Sequence, residues 1–159
     1  MKGDEKVIEF LNQQLTGELT AISQYFLHAK MQENFGWSKL AAHTRADSIE
    51  EMGHAEALTD RILFLEGLPN YQRLSGLRIG QTLNEMFESD LGIEVGAVAL
   101  LRKGIEHMRR VGDVTSARLF ESILADEENH VDYLETQLAL IAQLGEALYL
   151  AKQMDPPTE

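Results

Sequence analysis

The chain has 159 residues, of which 44% are hydrophobic and 25% charged, with a formal net charge of −12 and no cysteine. This length and composition are typical of one globular domain with a sizeable core, and the lack of cysteine excludes disulfides, thiolate catalysis and cysteine-ligated zinc or iron–sulfur sites. The acidic balance argues against a nucleic-acid partner. Neither a membrane-spanning run nor a signal peptide is predicted, so we expect a cytoplasmic protein without membrane contact.

Four long helices are predicted, because apolar residues recur every three or four positions in four stretches. These stretches cover roughly residues 4–34, 38–65, 82–111 and 114–144, and a short fifth helix is expected over 146–153. The last five residues, 155–159, are predicted to be a disordered tail. The chain is therefore expected to be all-α and to form a single domain over 1–159.

The connections between the predicted helices indicate how they are arranged. Short links near 35–37 and 111–113 make helix two antiparallel to helix one, and helix four antiparallel to helix three. The 16 residues from Glu66 to Gln81 are longer. Extended, they span about 53 Å, which exceeds the roughly 45 Å of a 30-residue helix. This segment is therefore predicted to cross the length of a four-helix bundle and to make helices two and three parallel.

Six residues of metal-ligand type are arranged in two sets with identical spacing, one set on each predicted hairpin. The first set is Glu18, Glu51 and His54, and the second is Glu94, Glu127 and His130. Each member of the second set follows its counterpart by 76 positions (94−18, 127−51 and 130−54). Each set contains a Glu-x-x-His, whose two side chains lie on one helix face and can converge on one ion. All six residues fall on the predicted inward faces.

Four glutamates and two histidines buried together predict a centre for two divalent cations. Two such ions carry +4 and neutralise four ionised carboxylates, whereas the empty site should respond by raising the pKa of some glutamates. Oxygen-rich ligands with two imidazoles suit iron or manganese better than structural zinc. A single Glu-x-x-His is more often a solvated surface pair, but the doubled set on inward faces favours the metal centre.

Three neighbours of these ligands leave alternatives open. Tyr25 is either a redox-active or hydrogen-bonding neighbour of the metals, or a core tyrosine with a satisfied hydroxyl. Asp47 and Asp90, one turn before Glu51 and Glu94, either orient the histidine ligands or form interhelical salt bridges.

This ligand pattern is that of the ferritin-like di-iron carboxylate proteins. Within them, the chain closely resembles the bacterioferritin family over nearly its whole length. The segments that carry the resemblance are MKGDEKVIEFLNQQLTGELTAISQYFLHAK, EEMGHAE, DRILFLEGLPN and ADEENHVDYLETQLALI. It implies a ferritin-like four-helix bundle with a long crossover between helices two and three, and a short C-terminal fifth helix.

The resemblance also implies a ferroxidase centre that oxidises Fe²⁺ with O₂ or H₂O₂, and iron storage in a hollow homo-oligomeric shell of about two dozen subunits. Glu51 and Glu127 would bridge the two irons, and Glu18 and Glu94 would be terminal ligands. Met52 would be an axial ligand of haem b shared across a two-fold dimer, with Leu19, Ser23, Phe26 and Ile49 along the same outward face. A small ferredoxin would supply electrons for iron release.

One departure from the family concerns an inner-surface iron site. Some members have His at position 46 and Asp at position 50, where this chain has Ala46 and Glu50. That site is therefore in doubt here.

Other functions compete with storage. A manganese catalase or a rubrerythrin-like peroxidase uses similar ligands, although a rubrerythrin normally carries a cysteine-rich module. A miniature ferritin would place its ligands between subunits, and a bundle without chemistry would have lost ligands.

Overall fold

Five helices make up the computed structural model of the chain, which describes residues 1–155. They are α1 (Glu5–Asn34), α2 (Ser38–Phe64), α3 (Leu83–Arg110), α4 (Val114–Leu144) and α5 (Glu146–Ala151). The described residues contain no strand. The all-α prediction is confirmed, and the four long helices begin and end within one residue of their predicted limits. None of the described helices is long and apolar enough to cross a membrane.

Side-chain caps explain where three of the long helices, α1, α3 and α4, begin. Asp4 accepts a hydrogen bond from the Val7 N–H and begins α1, while Asp113 accepts one from the Ser116 N–H and begins α4. Thr82 and Glu85 form a reciprocal capping box at the start of α3. These capping residues pair with N–H groups that a helix cannot satisfy within itself.

The crossover segment, residues 66–81, begins its attachment along α1 where the Asn70 N–H donates to Asn12 Oδ1 at 2.8 Å, and three more backbone N–H groups follow. The N–H of Ser75 donates to Thr20 Oγ1 (3.1 Å), that of Arg78 to Gln24 Oε1 (2.9 Å) and that of Gly80 to His28 Nε2 (2.9 Å). The last three acceptors are spaced one turn apart, so the segment runs along α1 towards its C-terminal end. Helix α3 starts there and returns parallel to α2, as predicted.

Two apolar clusters lie on either side of a buried polar layer. One is built around Val7, Leu11, Leu58, Leu101 and Phe120, and the other around Leu40, Phe87, Leu134, Ile141 and Tyr149. The short helix α5 closes the second cluster, because its Tyr149 is buried there and donates a hydrogen bond to Gln137 Oε1 (2.7 Å). The polar layer between the clusters contains the predicted ligands.

The predicted disordered tail lies almost entirely outside the described residues. Its first residue, Asp155, donates its backbone N–H to Ser38 Oγ at 3.1 Å.

Candidate metal centre

All six predicted ligands lie in the polar layer, and each is at most 9% exposed. Their side chains form two overlapping groups whose ligand atoms lie within 4.8 Å of one another. The groups are Glu18, Glu51, His54 and Glu127, and Glu51, Glu94, Glu127 and His130. Glu51 and Glu127 belong to both groups. Two ions at these positions would therefore share these two carboxylates.

The two histidines face the shared carboxylates through the same ring atom. His54 Nδ1 lies 3.1 Å from Glu127 Oε1 and 3.5 Å from Glu18 Oε1. His130 Nδ1 lies 3.1 Å from Glu51 Oε1 and 3.3 Å from Glu94 Oε1. Each imidazole thus presents Nδ1 to a glutamate of its own set and to a glutamate of the opposite hairpin.

Several ligand atoms lack hydrogen bonds of acceptable geometry, although they are buried. Within the described part of the chain, these include Glu51 Oε1, His54 Nδ1 and both carboxylate oxygens of Glu127. Buried polar atoms are rarely left without partners unless a water or ion completes them. The donor set, carboxylates with two imidazoles, fits a pair of divalent transition-metal ions.

The outer nitrogens of the two histidines are also held by carboxylates. His54 Nε2 lies 2.8 Å from Asp126 Oδ2, and His130 Nε2 lies 3.1 Å from Glu50 Oε2. Because each carboxylate accepts the Nε2 proton, Nδ1 is left to face the centre. We did not predict this orienting role from the sequence. The signal was present, since Asp126 follows Glu50 by 76 positions (126−50) and so extends the repeat.

Of the two alternatives considered for Asp47 and Asp90, the structure favours interhelical pairing for Asp90. Asp90 accepts a hydrogen bond from Gln24 Nε2 (2.7 Å) and lies 2.9 Å from the buried His28 Nδ1. Asp90 therefore contacts the two α1 side chains, Gln24 and His28, that hold the crossover segment. It orients no predicted ligand. Asp47 lies 3.3 Å from His43 Nε2 and only 4.0 Å from His130 Nε2.

The two terminal glutamates have different supports, which breaks the symmetry of the centre. Tyr25 is buried and donates its hydroxyl proton to Glu94 Oε1. On the other side, Gln14 Nε2 donates to Glu18 Oε1 at 2.8 Å. Of the roles considered for Tyr25, this contact favours the hydrogen-bonding neighbour.

Protonation of the metal-free centre divides the ligands into two classes. Burial raises the pKa of Glu18 and of Glu94 well above the usual range, and neighbouring carboxylates raise it further. Burial also raises the pKa of Glu51 and of Glu127, but their contacts with the imidazoles and terminal glutamates outweigh burial and lower it overall. Only the terminal pair thus shows the raised pKa expected for an empty site.

The two imidazoles have pKa values that favour the protonated form when no metal is bound. Burial lowers the pKa of His54 and of His130, but the surrounding glutamates outweigh this effect and raise it well above 6.5. Positive charge on the imidazoles then offsets negative charge on Glu51 and Glu127.

Met52 lies on the outward side of α2, away from the centre. It is 57% exposed, and the apolar side chains of Ile49 and Phe26 beside it in the predicted group are also exposed. An exposed thioether among apolar side chains fits a haem, whose iron accepts a thioether sulfur as a ligand.

Comparisons with known proteins identify the family of the chain. The model of a family described as the ferritin-like domain matches residues 8–144. The chain is 65% identical to the bacterioferritin of Streptomyces coelicolor over 151 residues, covering 95% of this chain and 90% of that protein. It is 61% identical to a bacterioferritin of Mycobacterium tuberculosis over 159 residues, covering 99% and 100% of the two chains.

Solved structures of bacterioferritins also match the chain over nearly its whole length. The structure of the M. tuberculosis bacterioferritin superposes with a TM-score of 0.97 at 61% identity, covering 99% of this chain and 100% of that one. A Rhodobacter capsulatus bacterioferritin superposes with a TM-score of 0.97 at 50% identity, covering 100% of this chain and 99% of that one. That structure is described as having a metal-free dinuclear site and haem iron in a crystallographic special position.

Proposed function

Because this chain belongs to the bacterioferritin family of ferritin-like proteins, we propose that it stores iron after oxidising Fe²⁺ at the six-ligand centre. The observation that carries this proposal is the overlap of the two ligand groups at Glu51 and Glu127. Shared carboxylates hold two cations close together, and two adjacent Fe²⁺ ions can deliver the two electrons that one oxidant molecule accepts.

The substrate in this proposal is Fe²⁺, and the ligands act by holding it. Glu18 and His54 serve one ion, Glu94 and His130 serve the other, and the shared glutamates bridge both. Four ionised carboxylates match the +4 of two Fe²⁺ ions. Oxidation adds two positive charges to a buried site, so water-derived anions must enter or the Fe³⁺ ions must leave.

The charge and electrons balance with either oxidant. Two Fe²⁺ and two protons reduce O₂ to H₂O₂, and two Fe²⁺ and two protons reduce H₂O₂ to two waters. The chain's residues contribute by orientation. Asp126 and Glu50 fix the imidazole rings through Nε2, and the Tyr25 hydroxyl holds one oxygen of Glu94.

We further propose that subunits assemble into a homo-oligomeric shell in which Met52 holds haem b at a two-fold dimer interface. The exposed apolar side chains beside Met52 support this assignment, since they need a partner surface. Bound haem would supply one-electron transfer for reductive release of stored iron, with a ferredoxin as the donor. The cytoplasmic location predicted from the sequence remains a prediction.

The proposal is tested by measuring the iron that stays with the protein after aerobic loading with Fe²⁺ and gel filtration. Retention of far more than two irons per subunit in a large assembly would establish storage. A plateau at about two irons would refute storage and favour the di-metal peroxidase or manganese catalase chemistry considered from the sequence.

A further inference from the structure

A cavity of about 570 Å³ lies between α1, α3 and the crossover segment. Four glycines line it, and at the three that lie in helices, Gly17, Gly92 and Gly96, an added methyl group would meet nothing within 4 Å. Ser75 and Leu77 of the crossover segment line its outer side. The cavity lies on the opposite side of the bundle from Glu50 and Asp126.

Gln14 connects this cavity to the metal centre. The side chain lines the cavity and is 1% exposed, and its Nε2 donates to Glu18 Oε1 at 2.8 Å. Its other polar atom, Oε1, has no hydrogen-bond partner within the described residues. A buried amide oxygen without a partner, in the wall of a cavity, marks a place where a small hydrogen-bond donor such as hydrogen peroxide can bind. The same side chain thus contacts both the cavity and Glu18.

The chemistry of the cavity lining is unsuited to a cation. Among the described residues that line it there is no aspartate or glutamate, and its one charged side chain is the cationic Arg78. The remainder are amides, hydroxyls, glycines and apolar side chains such as Ile93 and Leu100. This mixture accommodates a small neutral molecule with both apolar and hydrogen-bonding character.

The opposite side of the centre has the reverse character. Asp47 and Glu50 on α2 and Asp126 on α4 lie beside the outer nitrogens of the two histidines. They are partly exposed, so an approaching divalent cation is attracted there. The carboxylates on this face therefore favour a cation, whereas the lining of the cavity favours a neutral molecule.

We propose that the cavity between α1, α3 and the crossover segment admits the oxidant, a small neutral molecule such as dioxygen or hydrogen peroxide, which reaches the centre past Gln14. This inference rests on the proposed ferroxidase function and assigns a separate route to one of its two substrates. Fe²⁺ does not pass through this cavity. Filling it should therefore impair use of the oxidant and leave cation binding intact.

The test uses the double variant Gly92→Leu/Gly96→Leu, which fills the cavity with two leucine side chains from α3. Both positions have space for a side chain. Stopped-flow oxidation is measured in the assembled protein with O₂ varied at saturating Fe²⁺, and separately with H₂O₂ varied without O₂. We expect kcat/KM for the oxidant to fall by roughly tenfold in at least one of these two series, because access to the centre becomes limiting. The stoichiometry and affinity of Co²⁺ binding, read from its visible spectrum, should not change.

Two controls separate cavity filling from other effects. Gly92→Ala/Gly96→Ala improves helix propensity equally at the same positions but leaves most of the volume, so it should lower kcat/KM less. Ala99→Leu adds an exposed leucine to α3 outside the cavity and should leave kcat/KM unchanged. If the leucine pair prevents assembly, Gly96→Cys modified with N-ethylmaleimide after assembly fills the cavity instead, since the chain has no other cysteine.

The outcomes distinguish this route from the function on which it rests. A filled cavity with unchanged kcat/KM for both oxidants, in a protein whose wild type oxidises Fe²⁺ rapidly, would overturn the route alone. An equal loss of Co²⁺ binding would also overturn it, because the cavity would then serve the cation or the integrity of the centre. A wild type without rapid oxidation would refute the proposed function as well.

Discussion

Loading the metal-free protein with two divalent cations should release about four protons per subunit. In the empty centre, Glu51 and Glu127 are ionised and the two imidazoles are protonated, because each lowered or raised pKa favours these forms. The terminal carboxyls are neutral because burial raises their pKa. The filled centre needs four ionised carboxylates and two neutral imidazoles, so two terminal carboxyls and two imidazoliums must each lose a proton.

The direction of the pH dependence follows from these shifts. The imidazole pKa is raised above its usual 6.5 and the terminal glutamate pKa above its usual 4.5. Protons therefore stay on the empty centre at neutral pH and compete with the metal. With two protons displaced per ion, each unit of decrease in pH should weaken the binding of each ion by about a hundredfold. This dependence should persist at pH 7–8, where ordinary histidines are already neutral.

Co²⁺ or Zn²⁺ serves as the probe, because neither is oxidised by air under these conditions. Isothermal titration calorimetry in several buffers of different ionisation enthalpy gives the number of protons released. Glu18→Gln is the matched control, since it removes one displaceable proton and should release about three. Release of one proton or none per pair of ions by the wild type would refute this description of the empty centre.

Three other perturbations test separate parts of the structure. In the metal-free protein, His130→Ala should lower the free energy of unfolding by about 3 kcal/mol because it leaves buried carboxylates without their cation. By contrast, Glu18→Gln should change it by less than about 1 kcal/mol because that carboxyl is already neutral; chemical denaturation of both variants decides this, and equal losses would contradict it. Met52→Leu should abolish haem absorbance while rapid Fe²⁺ oxidation continues, and loss of oxidation in an intact assembly would show that the two sites are not independent. Tyr25→Phe should cost about 1 kcal/mol of stability and slow oxidation by freeing Glu94, and an unchanged oxidation rate would mean that the hydroxyl only satisfies the core.

Much of the fold could be predicted because its determinants are local. Helix limits follow from caps such as Asp4, Thr82 and Asp113, and from residues that recur with the period of a helix. The length of the crossover segment then restricts the order of the helices. The six ligands could be identified because a spacing of 76 residues repeats three times, and a helical period converts such spacing into a common inward face.

The roles of the ligands' neighbours required the tertiary structure. Asp90 has the same spacing to Glu94 as Asp47 has to Glu51, yet it packs against His28 and Gln24 under the crossover segment. Its partners come from another helix and depend on how α1 and α3 pack. The same holds for Asp126, whose repeat relation to Glu50 was visible but whose contact with a histidine of α2 was not.

The sequence by itself determined which residue types are available, on which helices and at which register, because those properties depend on neighbours a few residues away. Only the tertiary structure decided which carboxylates are shared, which ligands hold protons when the centre is empty, and that a cavity reaches Gln14 from one side. These properties arise from charges and volumes brought together from four helices. Burial and electrostatic interaction act through space, so no local pattern specifies them.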